Sequence, residues 1–156
     1  MEDISVSTIV CAVDFSEYAE HALRYAVYLA RVFKADLKLL HVVEIPFLPS
    51  YSLAGVPDLS LPVDEIEEGA RQNMQALLER TRADYERAEG EVRTGTAFLE
   101  IINYARETDA DLIVVGTHGR TGLRHMIIGS VAEKVVRKAP CPVLSVKHPD
   151  HKFEMP

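Results

Sequence analysis

The chain has 156 residues, 47% of them hydrophobic, with 17 Lys and Arg against 24 Asp and Glu and a net charge of −7. That suits one domain with a proper core and argues against binding to nucleic acid or to an anionic membrane, both of which need a basic surface. No run of about twenty apolar residues could span a bilayer, the acidic start Met1-Glu2-Asp3 lacks a signal-peptide pattern, and Cys11 and Cys141 make no disulfide framework, so the expected location is the cytoplasm.

Thr8 to Val13 is a short β-branched run that predicts a buried first strand. Asp14-Phe15-Ser16 breaks it. Ser16 can then cap a helix reaching about Phe33, with Ala19, Ala22, Leu23, Ala26, Val27 and Ala30 along one broad face. Asp36 to Val43 predicts a second strand. Ile45 to Pro62 contains Pro46, Pro49, Pro57, Pro62 and Gly55, which exclude regular structure. A connection of that length is either a surface excursion or functional. Asp64 to Ala88 predicts a long helix in which Ile66, Ala70, Met74, Leu77, Leu78 and Tyr85 follow helical spacing. Acidic residues stand at its start and Arg80, Arg82 and Arg87 near its end, as the helix dipole favours.

Glu91 to Thr94 predicts a short polar third strand near a sheet edge. Gly95-Thr96 leads into a helix through Phe98, Ile101, Ile102 and Ala105. Leu112 to Val115 predicts the fourth strand, Ser130 to Lys138 the last helix, and Pro142 to Val146 the fifth strand. Residues 148–156 are expected to be a flexible tail, leaving 1–147 as the domain. Ala35-Asp36-Leu37 and Ala110-Asp111-Leu112 echo one another as helix-to-strand junctions. Strands alternating with helices imply an α/β fold, a single doubly wound five-stranded parallel sheet with helices on both faces. In strand order 3-2-1-4-5, strands one and four are neighbours at the point where the order reverses, and ligands of such sheets bind beyond the strands' carboxyl ends there.

The chemistry at those two strand ends is distinctive. The first ends at Asp14-Phe15-Ser16. The fourth runs into Gly116-Thr117-His118-Gly119 and onward to Gly129-Ser130 at a helix start. Helix-start N–H groups have no internal partners and carry partial positive charge, and glycines let the main chain approach a phosphate closely. From Leu112 through Ala132 there is no Asp or Glu, but there are His118, Arg120, Arg124 and His125. A window cleared of carboxylates in an acidic chain points to a nucleotide's phosphates, with at least one of the two arginines contacting them. Asp14, beside the glycine loop, suits a ribose hydroxyl or a base amine. The P-loop pattern is missing, and so is a Gly-x-Gly-x-x-Gly after the first strand.

Plainer roles compete for several of these residues. Ser130-Val131-Ala132-Glu133 matches a capping box, which would account for Ser130 and Glu133 without a ligand. Gly129 is the better discriminator, since a capping box does not need it. Gly119 and Gly122 can simply make turns. His118 reads as a hydrogen-bonding loop residue rather than a general base, His41 as structural, and Cys11 as buried packing. His148 and His151 lack the spacing of a zinc site. No positioned Lys, paired metal carboxylates or water-activating base stands beside the loop, which favours a binding module over an enzyme. A slow ATPase or a phosphotransferase modifying Ser16, Thr121 or Ser130 is the alternative, and a metabolite-filled or empty cleft is a third reading. The fifth strand, Val143-Leu144-Ser145-Val146, lies at the sheet edge, and an apolar edge strand invites pairing with a second copy.

Taken in order, Ala12-Val13-Asp14-Phe15-Ser16, Leu40-His41-Val42, the spacing from Gly116 to Ser130, and Pro140-Cys141-Pro142-Val143-Leu144-Ser145-Val146 resemble the nucleotide-binding branch of the universal stress protein family. The resemblance implies an ATP-binding α/β domain that forms a homodimer through its last strand and acts as a regulatory stress-response module, with Mg²⁺ entering alongside the phosphates. It places Asp14 near ribose and adenine and the backbone of Val42 by the adenine. Gly116, His118, Gly119, Gly129, Ser130 and Val131 would hold ribose and phosphates. Ala12, Val13, Val115, Arg120 and Ala132 complete the expected nucleotide-contacting set. Some members carry a hydroxyl residue at the position of Ala132, and its loss removes one hydrogen bond worth about 0.5–1.5 kcal/mol. The serine-glycine-glycine opening of the related ATP pyrophosphatases is missing at Asp14-Phe15-Ser16, which argues against adenylating chemistry.

Overall fold

The structure, a computed structural model, describes residues 4–45, 62–117 and 129–149. Its elements are β1 (Thr8–Ala12), α1 (Glu17–Phe33), β2 (Asp36–Val43), α2 (Val63–Asp84), β3 (Ala88–Thr94), α3 (Ala97–Glu107), β4 (Leu112–Gly116), α4 (Ser130–Lys138) and β5 (Val143–Val146). The strands form one parallel sheet in the order β3-β2-β1-β4-β5, the order expected from the alternation of elements. The Pro-rich segment 46–61, residues 118–128 and the tail from 150 onward lie outside the described residues.

Each face of the sheet has its own core. On one, α1 and α2 cover Ile9, Cys11, Leu37, Leu39 and Val114. On the other, α3 and α4 cover Val10, Leu40, Ile113 and Val115. Alternate strand residues thus point to opposite helix layers, which is why β1 reads as a continuous apolar run rather than an alternating one. Small residues let α1 lie close to the sheet, since Ala22, Ala26 and Ala30 are all fully buried.

The two junctions that echo in sequence are the same device in space. Lys34 and Asp109 close α1 and α3 in left-handed conformation, φ 56° and φ 48°. The alanine after each donates its N–H back into the helix, Ala35 to Ala30 O at 3.0 Å and Ala110 to Ala105 O at 2.8 Å. The aspartate that follows enters the sheet, its N–H meeting Ser7 O for Asp36 and Thr8 O for Asp111. Asp111 also accepts the Ser7 and Thr8 N–H groups at 2.7 and 3.0 Å and so fixes the start of β1.

Some boundaries differ from the sequence expectation. Val13 lies just past β1, although its N–H still donates to Leu40 O at 2.9 Å. β4 extends to Gly116, and β5 begins at Val143, one residue after Pro142, whose carbonyl accepts from Ile113. The largest difference is at β3. The long helix ends at Asp84 rather than Ala88, and the strand begins at Ala88 rather than Glu91. Tyr85 turns out of the helix with extended backbone, and its hydroxyl donates to Ala35 O at 2.6 Å. The ladder with β2 then starts with Ala88 opposite Leu37. Ala88-Glu89-Gly90 has poor strand propensity, and pairing with an interior strand overrides it. Gly90 has a packing reason, since a Cβ there would sit 2.7 Å from Met74 Sδ and 2.9 Å from Leu78 Cδ1. The outer edge of β3 is charged, with Glu89 paired to Lys38 and Arg93 to Glu91 and Glu107, which blunts it against further strands.

Candidate functional site

At the carboxyl ends of β1 and β4 the chain has to turn toward opposite layers, and the turn after β1 is strained. Phe15 adopts φ 62°, a left-handed conformation costly for a bulky residue. Two sets of contacts hold it there. The Asp14 carboxylate accepts the Ser16 N–H at 3.0 Å and the Ser16 hydroxyl proton at 2.5 Å, while Ser16 Oγ accepts the Ala19 N–H at 3.2 Å and caps α1. The Phe15 ring lies 4.3 Å from that of His41, whose Nδ1 donates to the Val13 carbonyl at 2.8 Å. His41 is therefore a buried structural clamp on the β1 turn, as its place in the sequence suggested, and Asp14 organises that turn.

The exit from β4 is pinned at both ends. The Thr117 N–H donates to Val146 O at 2.9 Å, and its carbonyl accepts the Gly129 N–H at 2.6 Å. The chain leaving the strand and the chain entering α4 are thus joined directly, closing a loop whose residues 118–128 lie outside the described residues. Thr117 is only 1% exposed. His118, Gly119 and Arg120 fall within that loop, as do Thr121, Gly122, Arg124 and His125.

The capping box that competes as a plainer role for Ser130 does not form. Gly129 is the N-cap, Ser130 is the first helical residue, and no side chain caps the helix. Glu133 pairs with Arg137 at 3.1 Å instead of reaching back. Ser130 stands one position too far into the helix for its hydroxyl to serve as the cap acceptor. Consequently the N–H groups of Ser130, Val131 and Ala132 meet no acceptor among the described residues. The starts of α1 and α3 along this rim differ, and α2, whose N-cap Pro62 also provides no side-chain cap, carries Asp64 and Glu65 in its first turn. Ser16 caps α1, and Glu44, from the end of β2, accepts the Ala97 N–H at 2.9 Å and supplies α3 with a carboxylate that its own Thr96 does not provide. The start of α4 has the partial positive charge but no such built-in anion.

These features surround one cavity of about 590 Å³, within the range of small-molecule sites. Ala12, Val13, Asp14 and Val42 line it, as do Val115 and Gly116 from β4 and Gly129, Ser130, Val131 and Ala132 from α4. Every expected site residue that is described therefore faces the same space. Sequence reasoning missed the opposite wall, made by Glu65, Ile66, Gly69, Ala70 and Asn73 of α2 with Ala97 and Ile101 of α3. Their spacing along α2 was legible, but the same periodicity reads equally well as core. The described lining carries three carboxylates, Asp14, Glu44 and Glu65, and no Lys or Arg. The cavity is thus polarised between an acidic side and the open amides of α4. Among the described residues no group of three His, Cys, Asp or Glu side chains could hold a metal ion.

Residues 6–147 match the universal stress protein family. The chain belongs to that family. Universal stress protein YxiE of Bacillus subtilis is 35% identical over 148 residues, which cover 89% of this chain and 97% of that one. Among solved structures, UspA from Lactobacillus plantarum has TM-score 0.80 at 27% identity, covering 92% of this chain and 99% of that chain. A universal stress protein from Archaeoglobus fulgidus, solved in complex with dAMP, has TM-score 0.63 at 26% identity, covering 92% of this chain and 98% of that one. As a universal stress protein the chain has the parallel sheet of its solved relatives. No described helix is long and apolar enough to cross a membrane.

Proposed function

We propose that this universal stress protein is a cytoplasmic ATP-binding regulatory module with little or no turnover. The observation that carries the reading is the uncapped start of α4, three amides without a described acceptor at the rim of a 590 Å³ cavity. The phosphates lie there, joined by Gly116, His118, Gly119 and Arg120 of the loop, with Mg²⁺ held by the phosphates. The base and ribose extend toward Asp14 and Val42. A relative of similar fold crystallised with dAMP supports an adenine nucleotide as the ligand class. Nucleotide occupancy is the signal, read by other proteins through a population shift. Two copies pair through the Val143–Val146 edge, where the sheet order ends. The test is nucleotide carried through purification: protein denatured after gentle isolation should release an adenine nucleotide, identified by absorbance and mass. Release of a different metabolite at stoichiometric amount would reject the reading.

One observation favours the alternative of slow phosphotransfer. Ser130 lines the cavity, and its hydroxyl makes no capping bond. Labelled γ-phosphate appearing on wild-type protein, and lost in Ser130→Ala, would establish that activity. Label absent after prolonged incubation leaves the binding module as the function.

A further inference from the structure

Gly69 sits in the interior of α2, where glycine costs about 1 kcal/mol relative to alanine. Nothing among the described residues requires it. It is helical, and a Cβ built on it would meet no described atom within 4 Å. Gly90 is the useful contrast, since there the Met74 and Leu78 side chains leave no room for a Cβ. Gly69 instead faces the cavity, flanked by Ile66, Ala70 and Asn73. With no packing or conformational reason for it among the described residues, the glycine leaves this stretch of the cavity wall flat and close to the helix backbone.

The polarity of the cavity says what lies against that surface. Glu44 and Glu65 line the same space, and carboxylates repel phosphate. The anionic end of a ligand belongs at the open amides of α4, and the part that reaches α2 is uncharged. We infer that Gly69 is the floor of a subsite for a planar heterocycle, which stacks on the α2 backbone beside Ile66 with its edge near the Asn73 amide. The inference rests on the nucleotide reading above and adds the residue that sets how the ring is held.

The test uses Gly69→Ala and Gly69→Leu in the full chain, with Gln75→Leu as a substitution on α2 outside the cavity lining. Three readouts are taken: the melting temperature without ligand, the affinity for ATP, and the affinity for inorganic triphosphate, which has no ring. Gly69→Ala should melt higher than wild type, and Gly69→Leu no lower. ATP affinity should fall less than threefold in Gly69→Ala and at least tenfold in Gly69→Leu, with Gln75→Leu unchanged. Triphosphate should bind wild type and Gly69→Leu alike. A folded Gly69→Leu that binds ATP as wild type does overturns the inference and leaves the nucleotide reading intact. Equal losses for ATP and triphosphate overturn it too, because the substitution would then act on the whole cleft. A Gly69→Ala variant that melts lower shows a structural need for glycine and has the same consequence. Wild type that binds neither probe removes both readings.

Discussion

Replacing Gly129 with Asp sets the stability of α4 against its anion-binding capacity. Gly129 holds the N-cap with φ −67° and ψ 152°, a conformation open to any residue. Its N–H bond to Thr117 O belongs to the backbone and survives the change. An N-cap Asp accepts from the second or third helical N–H, here Val131 or Ala132, and exceeds Gly by a few tenths of a kcal/mol. At about 2–4 °C per kcal/mol for a domain of this size, the melting temperature should hold steady or rise by about 1 °C. Binding should move the other way. The new carboxylate occupies the amides that the phosphate needs and stands about 4 Å from it, which at an effective dielectric of about 20 costs about 4 kcal/mol. At about 1.4 kcal/mol per decade that is up to about a thousandfold in affinity. Gly129→Asn, which caps without charge, should lose much less. Equilibrium dialysis with labelled ATP and differential scanning calorimetry measure the two effects. An Asp variant that is folded and binds within threefold of wild type would refute the placement of phosphate at the start of α4.

Gly90→Ala should lower unfolding stability by about 1–3 kcal/mol in a denaturant titration, because the added Cβ meets Met74 and Leu78 below 3.0 Å; an unchanged midpoint would show that α2 yields freely there. Burial pushes the Cys11 thiol up to about 12, so at pH 8 only about one thiol in ten thousand is ionised. Iodoacetamide should leave Cys11 unmodified in folded protein and label it once denaturant is added, with peptide mass spectrometry as the measure; rapid native labelling would contradict the burial. The hydrogen bond from Arg93 holds the Glu107 carboxyl below its ordinary range. A depressed carboxylate stabilises the fold above its unfolded pKa and stops doing so as pH falls through the folded one. Glu107→Gln should therefore melt below wild type at pH 7, and the two curves should converge in acid below the carboxylate range. A gap of constant size at both pH values would dissociate Glu107 from the pair.

The sheet was readable because burial and connectivity both leave marks in sequence. Continuous apolar runs such as Thr8–Ala12 and Leu112–Val115 are what a strand covered on two faces needs. The repeated Ala-Asp-Leu junctions disclosed a shared helix exit. β3 was less legible because its first residues are held by register with β2 and by the Tyr85 hydroxyl, contacts made across about fifty residues of chain. The site divided along the same line. Gly129 and Ser130 announced a helix start next to a strand end, yet the one-residue difference between N-cap and first helical position decided whether Ser130 capped the helix. That difference lies in backbone angles rather than residue types. Glu44 capping α3 and the α2 wall around Gly69 come from elements distant in sequence, so no local pattern distinguishes them from surface charge or core.

The central claim is that bare amides at the start of α4 hold the phosphates of an adenine nucleotide inside an acidic protein. Isothermal titration of nucleotide-free wild type with ATP and Mg²⁺ at low ionic strength tests it most directly. The account predicts saturable binding with one nucleotide per chain, weakened by added salt. No heat of binding at millimolar nucleotide would contradict it.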